Sequence, residues 1–205
     1  RVGDGAVLLD DQGRVEYASP NAVSALHKIG VHANAEGMRL GELGLEEVAI
    51  PTQFVHLHTP SEYSLLDGMS RISDLVARAK ALGMPALALT DHGALYGAID
   101  FYASCQAAGI TPIIGVETYV ARRSRFDRDA KVDGHGRPFH LVLLARDFVG
   151  YQDLVRLVTA AHLEGYYYRP RIDKELLRER AGHLIALSGC LQGEVPRALL
   201  EEGID

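Results

Sequence analysis

Residues 54–68 read FVHLHTPSEYSLLDG, and the other motifs of the chain are best weighed against them. A β-prone start, Phe54-Val55, leads into His56 and His58, and the Thr-Pro-Ser segment that follows forces a turn. Alternate residues of a strand share a face, so His56 and His58 are expected to point into one cavity. Asp67 follows on the next loop. Two imidazoles and a carboxylate gathered just past a strand end suit a divalent ion. Two strand histidines satisfied by hydrogen bonds would read the same way, so the decision falls to the other strand ends.

Beyond residue 53 short apolar runs alternate with helical periodicity. Ile72, Leu75, Val76, Ala79 and Leu82 recur at helical spacing, with Ser70 or Ser73 as cap and Gly83 as stop. Pro85–Thr90 reads as a buried strand, Leu95–Ala108 as a helix stopped by Gly109, and Ile110–Val120 as a strand. A polar loop over Asp127–Pro138 precedes a strand at Phe139–Ala145 and a helix at Gly150–Ala161. A helix capped by Asp173, a strand at His183–Ser188 and a helix at Glu194–Leu200 complete the series. Repeated β–α units with short apolar strands imply an α/β fold with a largely parallel sheet, open or barrel-shaped. Ligands of such folds gather at the carboxyl ends of the strands. There stand Asp91-His92-Gly93, Glu117 and Ser188-Gly189-Cys190, while His140 opens its strand and is less naturally placed. So many metal-capable side chains at strand ends favour a metal centre over isolated structural histidines.

Composition narrows the classes. The 205 residues are 47% hydrophobic and 23% charged, as in an ordinary globular chain. Apolar runs such as Ala86–Leu89 and Leu141–Ala145 are too short to span a bilayer, and no signal-like segment opens the chain, so no membrane partner and a cytoplasmic location are expected. Cys105 and Cys190 are the only cysteines and are expected to be reduced, Cys105 as a small core residue. The net charge of −6 excludes a generally basic nucleic-acid binder. Positive charge concentrates at Arg122, Arg123, Arg125, Arg128, Lys131 and Arg137, where Arg125 or Arg128 would be placed to hold a phosphate backbone. Tyr166-Tyr167-Tyr168-Arg169 has the chemistry to stack on bases, though an aromatic cluster after a helix reads first as packing.

Residues 1–50 differ in character. Ala6–Leu9 and Arg14–Tyr17 flank Asp10-Asp11-Gln12-Gly13 as a hairpin, and Ser19-Pro20 opens a helix ending near Gly30. The sequence GDGAVLLDDQGRVEYASPNAVSAL resembles the start of a PAS-type sensor domain over roughly residues 2–45. A shift of composition at Glu46–Gln53 places the boundary near Pro51, giving 1–50 as a PAS-like fragment and 51–205 as the second domain. Two unrelated resemblances meeting there suggest a fused or recombined chain.

The blocks HLHTPSEYSLLDG, GMPALALTDHGALYGAIDFY, GITPIIGVETYV, FHLVLLARDFVGYQDLVRL and LIALSGCLQGEVP together resemble the polymerase and histidinol phosphatase (PHP) domain of bacterial DNA polymerase III alpha subunits. The resemblance implies a distorted β/α barrel, here partial, with divalent metals at its strand ends: zinc or manganese, or else magnesium. It implies a phosphoesterase, a 3′–5′ exonuclease in some members and a scaffold in others, with DNA and other polymerase segments or subunits as partners. Carried over by position, the metal ligands are His58, Asp67, His92, Glu117, His140 and Cys190, with His56 as a substitute, and Asp67, His92 and Glu117 as the catalytic set. Pro60 stands where the family usually has a further His. The family domain also runs on past residue 205, so an incomplete barrel, a short metal set and self-association through uncovered edges are expected.

Overall fold

The helical spacing after the opening stretch produces the first helix, Ile72–Ala81 (α1), whose inward residues Ile72, Val76 and Ala79 are buried. Its N-cap is Arg71, and neither Ser70 nor Ser73 caps it. In this computed structural model the described residues are 7–9, 15–18, 38, 54–129 and 137–202. The chain divides into two compact units, Arg1–Pro51 and Thr52–Asp205.

In the first unit, Val7–Leu9 (β1) pairs antiparallel with Val15–Ala18 (β2), the two strands expected of the hairpin. The helix expected after Ser19 and most of the PAS-like stretch lie outside the described residues.

In the second unit the order after α1 is Ala86–Leu89 (β3), Ala98–Ala108 (α2), Thr111–Val120 (β4), Phe139–Ala145 (β5), Phe148–Leu163 (α3), Arg171–Ile172 (β6), Lys174–Arg180 (α4), Leu184–Leu187 (β7) and Glu194–Glu202 (α5). The five strands form one sheet in the order β3-β4-β5-β7, with β6 also paired to β4. β3 and β6 run parallel to β4, whereas β5 is antiparallel to both β4 and β7. Four of the five strands therefore run the same way, as the β–α alternation suggested, and β5 alone is reversed. The cause lies between β4 and β5. Parallel neighbours need a crossover, usually a helix, and the described residues between these strands hold none.

Two apolar layers cover the sheet. α1 and α2 pack Val76, Phe101 and Cys105 onto Leu87, Leu89 and Ile110. α3 packs Leu154, Leu157 and Ala161 onto Val116, Val120, Leu143 and Ile172. Phe101, Leu154 and Leu157 are fully buried, and each contributes about 1.5–3 kcal/mol through removal from water. Cys105 is also fully buried, and burial pushes its thiol up to about 11, which keeps it a neutral core residue as expected. Polar caps fix where α3 and α4 begin: Asp147 accepts from the Gly150 N–H at 2.9 Å and Asp173 from the Leu176 N–H at 3.0 Å.

Residues 54–59 do not form a strand of their own. They run along the outer edge of β3, where the Ala88 N–H donates to the His56 carbonyl and the Thr90 N–H to that of Thr59, both at 2.9 Å. The loop that follows closes tightly. A Cβ at Gly68 would stand 1.9 Å from the Ser61 carbonyl oxygen, so only glycine fits there.

Candidate metal centre

Glu117 lies within β4, level with the residues just beyond the shorter β3, and forms an isolated parallel bridge with His92. Its side chain is 2% exposed, and imidazoles face both of its oxygens. On one side His92 Nε2 lies 2.7 Å and His58 Nε2 3.5 Å from Oε2. On the other, His140 Nδ1–H donates to Oε1 at 2.6 Å, and Cys190 Sγ is 3.8 Å from the same nitrogen. Burial opposes the charge on Glu117, but the hydrogen bonds from His140 and His92 outweigh it and hold the carboxyl well below the usual range. Burial likewise opposes protonation of His92, and the hydrogen bond and charge of Glu117, with Asp67 and Asp91 beyond, raise it overall.

The reversal of β5 is what brings His140 here. A residue opening a strand normally sits at the edge opposite its neighbours' carboxyl ends. Because β5 runs backwards, its first residues pair with the last of β4, Phe139 with Val120 and His140 with Tyr119. β7 is antiparallel to β5 in turn and delivers the Ser188-Gly189-Cys190 turn to the same edge, where the His140 N–H donates to the Gln192 carbonyl at 3.1 Å. The Gln192 N–H donates to Cys190 Sγ at 3.4 Å and helps to fix the sulfur's position.

Asp67 is 60% exposed and lies behind His92, with Oδ2 3.3 Å from Nδ1, the ring nitrogen turned away from Glu117. A carboxylate so placed fixes the orientation and tautomer of a ligating imidazole. Thr90 Oγ1 does the same for His58, at 2.7 Å from its Nδ1. His56 does not share that face: its ring is exposed and stands edge-on to Phe54, with centroids 4.8 Å apart. With no strand at residues 54–59, the expected two-residue alternation does not bring the two imidazoles together. The Pro60 side chain supplies no ligand atom.

Asp91 was not singled out by sequence reasoning although it sits in the strand-end triplet. Its buried carboxylate accepts from the Ser61 N–H and the Ser64 hydroxyl, both at 2.7 Å, and from the Ser61 hydroxyl at 2.9 Å. It ties the loop that carries Asp67 to the end of β3. The signal was available: a carboxylate that must be buried beside a Ser-x-x-Ser loop needs donors, and this loop supplies them.

The arginines expected to hold phosphate are committed elsewhere. Arg125 pairs with Asp173 at 3.0 Å and Glu164 at 2.7 Å. Arg128 donates to the Tyr166 and Glu164 carbonyls at 2.6 and 2.7 Å. Both hold α4 and the end of α3 in place.

The donor set fits a divalent cation. Glu117, His140 and Cys190 offer ligand atoms within 4.8 Å of one another, with His92 and His58 on the second oxygen of the same carboxylate. A mixed α/β domain with carboxylate, imidazole and thiol converging at one sheet edge is a metal-binding class of fold.

Residues 56–205 match the family model described as the PHP domain, and the chain belongs to that family. It is 53% identical over 155 residues to the DNA polymerase III subunit alpha of Thermus aquaticus, covering 75% of this chain and 13% of that protein. It is 53% identical over 148 residues to that of Treponema pallidum, covering 72% and 13%. The chain thus spans about an eighth of the length of these curated relatives. Among solved structures, one described as a metal-dependent phosphoesterase from Bifidobacterium adolescentis aligns with 20% identity and a TM-score of 0.39, over 54% of this chain and 34% of that one. No helix among the described residues is long and apolar enough to cross a membrane.

Proposed function

We propose that this domain is a metal-dependent phosphodiesterase that removes nucleotides from the 3′ end of DNA as part of a replicative polymerase. The observation that carries this reading is Glu117, a buried carboxylate whose two oxygens are each shared with imidazoles from other parts of the sheet. Zinc or manganese bound there would supply charge neutralisation and a water acidic enough to attack phosphorus. Glu117 would stand between the donors His58 and His92 on one side and His140 and Cys190 on the other. Asp67 orients His92, and its carboxylate, 60% exposed, is the member of the set open to solvent, where it can take or return a proton. Tyr119, 6% exposed, walls the cluster from the interior, its hydroxyl 3.4 Å from His92 Nδ1.

A scaffold that has lost hydrolysis is the second reading, favoured by Pro60. The free edge of β7 is where a second copy would pair. Metal analysis of the purified chain, together with a 3′-labelled DNA substrate, separates the two main readings. One or two bound ions with slow 3′-end release are expected. Metal-free protein whose folding ignores a chelator would establish the scaffold.

A further inference from the structure

The loop between α3 and β6 was expected to pack its tyrosines, and it does the opposite with two of them. Tyr168 is 76% exposed and Tyr166 55% exposed. Tyr168 also has a φ of 58°, the only positive φ outside glycine among the described residues. That region costs a side-chain-bearing residue about 1–2 kcal/mol, and glycine would occupy it freely. A bulky aromatic held there, at the tip of a turn closed by the Tyr167 N–H and the Arg169 carbonyl at 3.1 Å, has a use other than packing. Tyr167 does the packing: the Arg171 guanidinium lies 5.3 Å from its ring centroid on one contact, and the Tyr168 ring is edge-on to it at 4.6 Å.

Arg169 follows. Arg125, Arg128 and Arg171 are all tied to carboxylates or carbonyls. Arg169 is exposed, and among the described residues its guanidinium makes no hydrogen bond or ion pair. It lies 5.5 Å from the centroid of the Tyr119 ring, whose hydroxyl reaches His92. Pro170 presses the loop onto the residue after His92: a Cβ at Gly93 would meet Pro170 Cγ at 2.8 Å. A cation held only by the face of Tyr119 and an exposed aromatic ring thus stand side by side on a loop packed beside the donor cluster.

We propose that Tyr168 and Arg169 are the strand-binding lip of this site, Arg169 holding a backbone phosphate of single-stranded DNA and Tyr168 stacking on an adjacent base. The assignment rests on the phosphodiesterase reading for its place in catalysis, but it makes its own prediction about binding. Stacking on an aromatic side chain is tolerant of base identity, and a lone cation reads phosphate alone, so the lip serves an enzyme that degrades any sequence.

The test is fluorescence anisotropy of the full 205-residue chain with phosphorothioate-linked single strands, one carrying bases and one abasic. Arg169→Gln should weaken both by about tenfold and reduce the salt slope by about 0.7. Tyr168→Gly should weaken the base-bearing strand about tenfold and leave the abasic strand unchanged. Its melting temperature should not fall, since glycine relieves the backbone. Wild-type binding of neither strand, or variants indistinguishable from wild type on both, overturns the lip. KM on a cleavable strand keeps the two readings apart. Hydrolysis with KM unchanged in both variants removes the lip and leaves the enzyme. The expected binding pattern in a chain that cleaves nothing removes the enzyme and leaves the lip.

Discussion

Glu117 is a buried carboxylate sharing its oxygens with His92 and His140. Its residue type was legible because a charged residue inside an apolar strand demands partners. Which partners was not, since they come from three other segments of the chain. Asp67 illustrates the same limit. Its distance from His58 in sequence suggested a shared ligand site, whereas the fold puts it behind His92. Glu117→Gln should weaken zinc or manganese binding by more than about a hundredfold, as loss of a ligand exceeds the 10–100-fold range seen for residues merely behind one. His162→Ala, which removes a contact to the Gly93 carbonyl at 3.0 Å and a ring contact to Tyr166 but no donor, is the control and should retain metal. Isothermal titration of the two variants reads the difference, and equal losses would place the ion elsewhere.

At the scale of elements, helix α4 depends on one buried carboxylate. Asp173 caps it and also accepts from the Arg125 N–H at 2.9 Å and the Arg125 guanidinium at 3.0 Å. Burial disfavours its charge, but the Arg125 and Leu176 N–H groups and the Arg125 side chain prevail and hold its carboxyl below the ordinary 3.8. The folded state therefore binds fewer protons than the unfolded one. The stabilisation is complete above pH 3.8 and disappears as pH falls below that value through the folded one. Asp173→Ala should cost about 2 kcal/mol at neutral pH. In urea unfolding, the gap between variant and wild type should narrow as pH falls below 4, and a gap constant with pH would show that the charge is not what matters. The cap was readable from sequence, the cross-link to Arg125 was not, and β6, only Arg171–Ile172, was too short to show any periodicity.

For the whole molecule, a cation at Glu117 would tie together residues from the edge of β3, from β4, from β5 and from the turn after β7. Because unfolding scatters these donors, an ion that binds only the folded chain stabilises it by about 2.7 kcal/mol at a hundredfold excess over Kd. For a unit of this size that is a rise of about 5–10 °C in melting temperature. Calorimetry with zinc or manganese, then with a chelator, should show the rise and its reversal, and an unchanged midpoint would mean the donors do not converge on an ion. The amino-acid sequence by itself determined the helices, the apolar strands, the residue types able to ligate and the family, because these depend on local periodicity and on motif order. Tertiary structure alone decided the direction of β5, and with it the arrival of His140 at the edge that holds Glu117. It also decided that His56 turns away from that edge and that Arg125 is bound to Asp173. Strand direction is set by whether a connection can cross the sheet, and a side chain's partners are set by which strands become neighbours. Neither is written in the spacing of residues along one segment.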